Sequence, residues 1–186
     1  PFRGHYLPGG RTGPVKTVSP ILYSALLLTV LGATAWATEL PPGVMRIAGT
    51  PAPALQLDNL DGEAYDLAET RGHWRFVHFW ASWCGPCRRE MPRIQQMITL
   101  LEDSDIEFLI INTAETEDEV FTFLGIVAPE LVPLMDTDGL VTEAWQPRGL
   151  PATYLVDPEG LIQYQALGGR EWEQPVYLDF LRNLDR

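Results

Sequence analysis

Residues 76–87 read FVHFWASWCGPC and contain both cysteines of the 186-residue chain, Cys84 and Cys87. The run from Trp74 to Ala81 is bulky, aromatic and too short for a typical helix, so it predicts a strand covered on both faces. Beyond the cysteines, Met91, Ile94, Met97, Ile98 and Leu101 recur at spacings of three and four, which predicts an amphipathic helix. A kink is expected at Pro92, whose ring denies the helix a hydrogen bond. Cys84 therefore falls where a buried strand ends and a helix begins, a place where amide N–H groups and the helix dipole stabilise a thiolate. Cys87 follows one helical turn on, within reach of a mixed disulfide formed on Cys84. Gly85 permits close approach, Pro86 sets φ in the first turn, and Trp83 is expected to shield the site.

Two other uses of the pair compete with a redox couple. A structural disulfide across three residues closes so small a loop that it gains little entropy. A zinc site needs four ligands, and the chain offers no second cysteine pair and only His5, His73 and His78, so no metal site is expected.

The two ends of the chain obey different rules. Arg3, Arg11 and Lys16 precede Glu39, whereas every Asp and Glu lies at or after it. The cationic start, the uncharged run from Thr17 to Thr38 and the A-x-A spacing of Ala35 and Ala37 resemble a secretory signal peptide over residues 1–38. An uncleaved anchor is the alternative, and it is the only membrane contact the sequence offers. Past residue 38, ten arginines face 25 acids, a net charge of −15 with histidines neutral. Nucleic acid is excluded as a partner on that balance. An exported thiol pair would be oxidised unless something keeps reducing it, so a redox partner is implied.

Residues 39–53, ELPPGVMRIAGTPAP, read as an extended lead-in across the surface, and the domain proper is expected over residues 54–186. ALQL and EAYDL around DNLDG predict a β-hairpin. IEFLIINT (106–113) predicts a second buried strand, and ETEDEVFTFLGI a helix with Val120, Phe121 and Leu124 inward. LVPLMD and TDGLVTEAW follow as a short strand and helix, ATYLVD and LIQYQA as an antiparallel pair, and PVYLDFLRNL as a closing helix with Pro175 in its first turn. That order predicts an α/β fold, a mixed sheet with helices on both faces and an N-terminal β-hairpin extension.

A strand, FWASWCGPC, a helix and then GLPATYLVDPEG resemble the thioredoxin superfamily. The signal-like leader, the early hairpin, E-M-P after Cys87 and the D-T-D-G to G-L-P-A-T-Y spacing most resemble its TlpA/ResA/DsbE group of exported thiol-disulfide oxidoreductases, over residues 47 to 182. The resemblance implies that Pro151 is cis and packs beside the disulfide, with the Leu150 backbone hydrogen-bonding the substrate chain. It implies that Glu90 is an acid that tunes the cysteines or moves protons, as burial would raise its pKa. His78 departs from the group, where this strand position holds an Asp or Asn; a satisfied core histidine and a buried base are both readings of it. Trp80 and Trp145 read as packing, and Arg88 and Arg89 as solvated surface.

The function expected is that of an exported reductase of protein disulfides, with Cys84 as nucleophile, Cys87 as resolving thiol, Glu90 in catalysis, and Trp83, Gly85, Pro86, Leu150 and Pro151 against substrate. The chemistry needs no bound cofactor. The resemblance implies a membrane thiol donor, candidate substrates in apocytochrome c or oxidase copper-site cysteines, and a place in the bacterial periplasm or on the outer face of the cytoplasmic membrane. Alternatives are a non-enzymatic copper-binding chaperone and a thiol peroxidase. The second needs P-x-x-x-[TS]-x-x-C, and Val77 and Ala81 stand where its Pro and Thr or Ser would be.

Overall fold

The computed structural model describes residues 39–184 together with residues 9, 10 and 13. Those three positions apart, the expected signal segment lies outside the described residues. Strand β4 (Trp74–Trp80) organises the rest. Its alternate side chains point to opposite faces. Phe76 and Trp80 enter one apolar cluster, while Val77 and Phe79 enter the other. β4 pairs in parallel with β5 (Ile106–Thr113) and antiparallel with β7 (Ala152–Val156), which explains why its seven residues are almost wholly buried.

The other strands are β1 (Val44–Pro51), β2 (Gln56–Asp58), β3 (Ala64–Asp66), β6 (Leu134–Asp136) and β8 (Leu161–Leu167). The main sheet has the order β1-β8-β7-β4-β5-β6, and β2 and β3 form a separate antiparallel hairpin. Helices α1 (Gly85–Leu100), α2 (Glu117–Val127) and α4 (Pro175–Arg182) contribute to the cluster around Phe76. Trp145 from α3 (Leu140–Trp145) joins the other, together with Leu55 and Leu67 flanking the hairpin. The mixed α/β architecture is the one the sequence predicts.

Two details differ from the sequence reading. The lead-in over 39–53 contains β1, an edge strand paired antiparallel with β8, so the folded unit starts ahead of Ala54. Val44 and Ile47 supply apolar anchors, the register shifts between Arg46 and Thr50, and Gly49 has a φ of 61° there. Phe121 is 71% exposed, and Phe123 is buried in its place. Val120, Phe123 and Leu124 stand at i, i+3 and i+4 on one stripe of α2, which Phe121 misses. Helix α1 continues through Pro92 as one element.

Ahead of β1 the chain is tied to the C-terminal part of the fold. The Tyr177 hydroxyl donates to the Pro42 carbonyl at 2.9 Å, and the Arg170 guanidinium donates to the Gly43 carbonyl at 3.2 Å.

Candidate active site

Cys84 is the N-cap of α1, with extended backbone (φ −80°, ψ 112°), and its sulfur accepts the Cys87 N–H at 3.4 Å. Gly85 and Pro86 occupy the first helical positions, where a proline forfeits no helical hydrogen bond. Cys84 and Cys87 are joined in a disulfide with a Cα–Cα distance of 5.3 Å. Cys84 retains a trace of exposure and Cys87 none. A nucleophile from outside can therefore approach only the first sulfur.

The loop between β4 and α1 is pinned from both sides. Glu115, buried after β5, accepts from the Ser82 N–H at 2.6 Å, from the Ser82 hydroxyl and from Asn112 Nδ2 at 2.7 Å. Arg88 donates to the Ser82 carbonyl at 3.0 Å and lies over the Phe123 ring at 4.7 Å. Arg88 is thus engaged on the protein itself. Trp83, held between these anchors, stands 66% exposed beside Cys84, while Trp80 and Trp145 are buried in the two apolar clusters.

The Leu150–Pro151 peptide is cis. The pairing of Ala152 with Phe79 places Pro151 at the end of the sheet where β4 runs into Cys84. The Pro151 carbonyl accepts from Gly168 N–H at 2.8 Å, so Leu150 and Pro151 share this end with the loop after β8.

Glu90, one turn beyond Cys87, is buried on the inner face of α1. Its Oε1 accepts from the Arg170 N–H at 2.9 Å and from Trp172 Nε1 at 2.6 Å. Burial pushes its pKa up to about 7, against the pull of those hydrogen bonds and the Arg170 charge. Across from it, His78 on β4 is wholly buried, with Nδ1 2.9 Å from the Thr153 hydroxyl and Nε2 3.9 Å from Glu90 Oε2. Desolvation lowers the imidazole pKa to about 3, so it is neutral. Gly169 packs over this group, where an added Cβ would stand 3.5 Å from the Pro86 carbonyl and 3.7 Å from Glu90 Oε2. A cleft of about 390 Å³ between Pro86, Arg89, Arg93 and the Gly169–Arg170 segment leads to the Glu90 carboxyl.

Cys84, Cys87 and Glu90 thus meet at the start of α1, and β7 brings Pro151 to the same end. Glu115, Arg170 and Trp172 escape sequence reasoning, because each reaches the site across 33 to 82 residues of chain and sits in no local motif; Thr153 lies within GLPATYLVDPEG, but its contact with His78 spans 75 residues. Among the described residues no group of three or more His, Cys, Asp or Glu is placed to hold a metal ion.

A model of the AhpC/TSA family matches residues 48–165, well over half of the chain. The chain belongs to this family. Within the AhpC/TSA family its likeness is to thiol-disulfide oxidoreductases. It is 31% identical to the thiol-disulfide oxidoreductase ResA of Geobacillus thermodenitrificans (strain NG80-2) over 141 residues, 74% of this chain and 79% of the relative. The solved thioredoxin domain of a thiol-disulfide oxidoreductase from Bacteroides vulgatus is 25% identical, with a TM-score of 0.62 over 74% of this chain and 99% of that one. A thiol:disulfide interchange protein from Bacteroides sp. is 26% identical, with a TM-score of 0.61 over 76% and 94%. The thioredoxin resemblance carried by FWASWCGPC and GLPATYLVDPEG, and the TlpA/ResA/DsbE-like one carried by the early hairpin, E-M-P and the D-T-D-G to G-L-P-A-T-Y spacing, agree with these relatives, and this AhpC/TSA member is a thiol-disulfide oxidoreductase. These likenesses favour neither the copper-holding nor the peroxidase alternative.

Proposed function

We propose that the protein is an exported reductase of protein disulfides. The disulfide cycle rests on the N-cap position of Cys84, partly accessible, where the Cys87 N–H and the α1 dipole favour its thiolate once reduced, with Cys87 sealed behind it; the reducing direction rests on the resemblance to the ResA and DsbE group. The Cys84 thiolate attacks one sulfur of a substrate disulfide, forming a mixed disulfide and releasing one substrate thiolate. Cys87 gives up its proton and attacks Cys84 Sγ, which releases the second thiolate and leaves the enzyme disulfide, a transfer of two electrons to substrate. Glu90, with a pKa raised to about 7, takes the Cys87 proton. Trp83, Gly85, Pro86, Leu150 and Pro151 form the surface that meets the substrate chain. A membrane thiol donor restores the dithiol, in the bacterial periplasm or on the outer face of the cytoplasmic membrane. Apocytochrome c haem-site cysteines and oxidase copper-site cysteines are the substrates that the ResA and DsbE likenesses support.

Equilibration in glutathione and dithiothreitol buffers, followed by tryptophan fluorescence, tests the direction of electron flow. A midpoint more reducing than about −220 mV supports a reductase, and one near −120 mV makes the protein a disulfide-forming oxidant. In the same assays Cys87→Ser accumulates a mixed disulfide with a disulfide-bonded peptide of the haem-attachment type, and Cys84→Ser forms none.

A further inference from the structure

Two buried polar atoms without partners face one another beneath the cysteines. Glu90 Oε1 is engaged by Arg170 N–H and Trp172 Nε1, and Oε2 has no hydrogen bond. His78 Nδ1 is engaged with the Thr153 hydroxyl, and Nε2 has none. The free atoms are 3.9 Å apart, and the side chains are 0% and 2% exposed. Leaving both unpaired costs desolvation energy twice, which one proton between them relieves. Catalytic hydrogen bonds are often long in a resting structure and close during reaction.

We propose that protonation of Glu90 is coupled to the tautomer of His78 through the Thr153 hydroxyl, so that one proton lies between Nε2 and Oε2 in either state. With Glu90 ionised, Nε2 carries the imidazole hydrogen and points it at Oε2, while Thr153 donates its hydroxyl hydrogen to Nδ1. With Glu90 protonated, Oε2–H points at the Nε2 lone pair, the imidazole hydrogen sits on Nδ1, and Thr153 turns its hydroxyl to accept it. The two states differ by one proton, the one Glu90 receives from the Cys87 thiol, and the ring is neutral in both. A hydroxyl can make this exchange because it both donates and accepts. His78 acts through Glu90 and is a positioning residue.

The surroundings fit this assignment. Phe76 stacks near the imidazole, with centroids 6.0 Å apart, and offers no charge. The charged or titratable groups around Glu90 are His78, Arg170 and Tyr177, with Arg89, Arg93 and Glu171 lining the cleft beside it and the cysteine pair a turn back on α1; Arg170 favours the carboxylate, and the Tyr177 phenol titrates above its ordinary value. With the imidazole pKa near 3 and that of Glu90 near 7, the ring stays neutral while the carboxyl titrates.

The functional part of the proposal rests on Glu90 as proton acceptor in the disulfide cycle; the coupling does not. Imidazole nitrogen shifts of His78 and the carboxyl carbon shift of Glu90 are followed by NMR from pH 5 to 9 on the full chain, oxidised and dithiothreitol-reduced. The expected result is a change of His78 tautomer at the Glu90 midpoint. Thr153→Val removes the donor to Nδ1 in the ionised state and the acceptor for Nδ1–H in the protonated one; a buried N–H left without an acceptor costs more than a bare lone pair, so the Glu90 midpoint falls by about half a unit to one unit, and Thr153→Ser restores it. A single His78 tautomer throughout the Glu90 titration overturns the coupling, as does an unchanged midpoint in Thr153→Val. The wild-type titration decides alone if that variant does not fold. A shifted NMR midpoint with an unshifted pH profile of disulfide reduction supports the coupling and counts against Glu90 as acceptor in the reaction.

Discussion

Glu90 and His78 are each held far from their ordinary titration ranges, in opposite directions, and this makes them visible in the stability of the protein. The folded value of Glu90, about 7, lies above its ordinary 4.5, so its contribution to stability is full below 4.5 and is lost as pH rises through 7. The loss is on the order of 3 kcal/mol. The folded value of His78, about 3, lies below its ordinary 6.5, so the native state loses stability as pH falls from 6.5 towards 3. Between pH 4.5 and 6.5 the two slopes oppose each other. Thermal unfolding of the oxidised protein is expected to show a plateau there with a fall on either side; Glu90→Gln flattens the fall above pH 6.5, and His78→Asn reduces the one below 4.5. The sequence makes one half of this legible: Glu90 follows Cys87 by one helical turn, and a strand position before Cys84 marks His78 as buried. That the two face each other depends on how α1 lies across β4, a tertiary fact with no local periodicity.

At the scale of elements, helix ends and buried stripes separate two kinds of stabilisation. Thr116 caps α2 in a capping box, accepting from Glu119 N–H while the Glu119 carboxylate accepts from Thr116 N–H. Thr116→Ala is expected to cost about 1 kcal/mol in denaturant unfolding. Met91 is buried completely in the cluster around Phe76, and Met91→Ala is expected to cost roughly 2 to 5 kcal/mol through the cavity left behind. If the two cost the same, α1 does not depend on its buried stripe as described. The elements themselves were largely readable: aromatic density gave β4, and three-and-four spacing gave α1. Assigning Phe121 inward on α2 went astray because four apolar residues in the five from Val120 to Leu124 leave the stripe ambiguous until the capped start fixes its phase. Strand β1 was hidden by its Gly49 and Pro51 and by Pro41, Pro42 and Gly43 ahead of it, which mark a loop in isolation but suit the bulged edge of a sheet.

The whole molecule carries a field that no single residue displays. From residue 39 onward its net charge is −15, yet Arg88, Arg89, Arg93 and Arg170 lie on or beside the cleft at the start of α1. At an ionic strength of about 0.01 M the screening length is about 30 Å, so the net charge governs approach. Oxidation of the dithiol form by cationic cystamine is expected to outpace oxidation by anionic glutathione disulfide at that salt, with the gap closing by about 0.5 M. The opposite order would mean that the arginines set the field an incoming disulfide feels. Finally, the ties of Pro42 and Gly43 to Tyr177 and Arg170 give the fold a mechanical character. A pull on residue 39 reaches Arg170 through one hydrogen bond and the Glu90 carboxyl through one more, before β1 begins to peel from β8. Tension on the N-terminal end would therefore be felt at the buried acid first and by the sheet second.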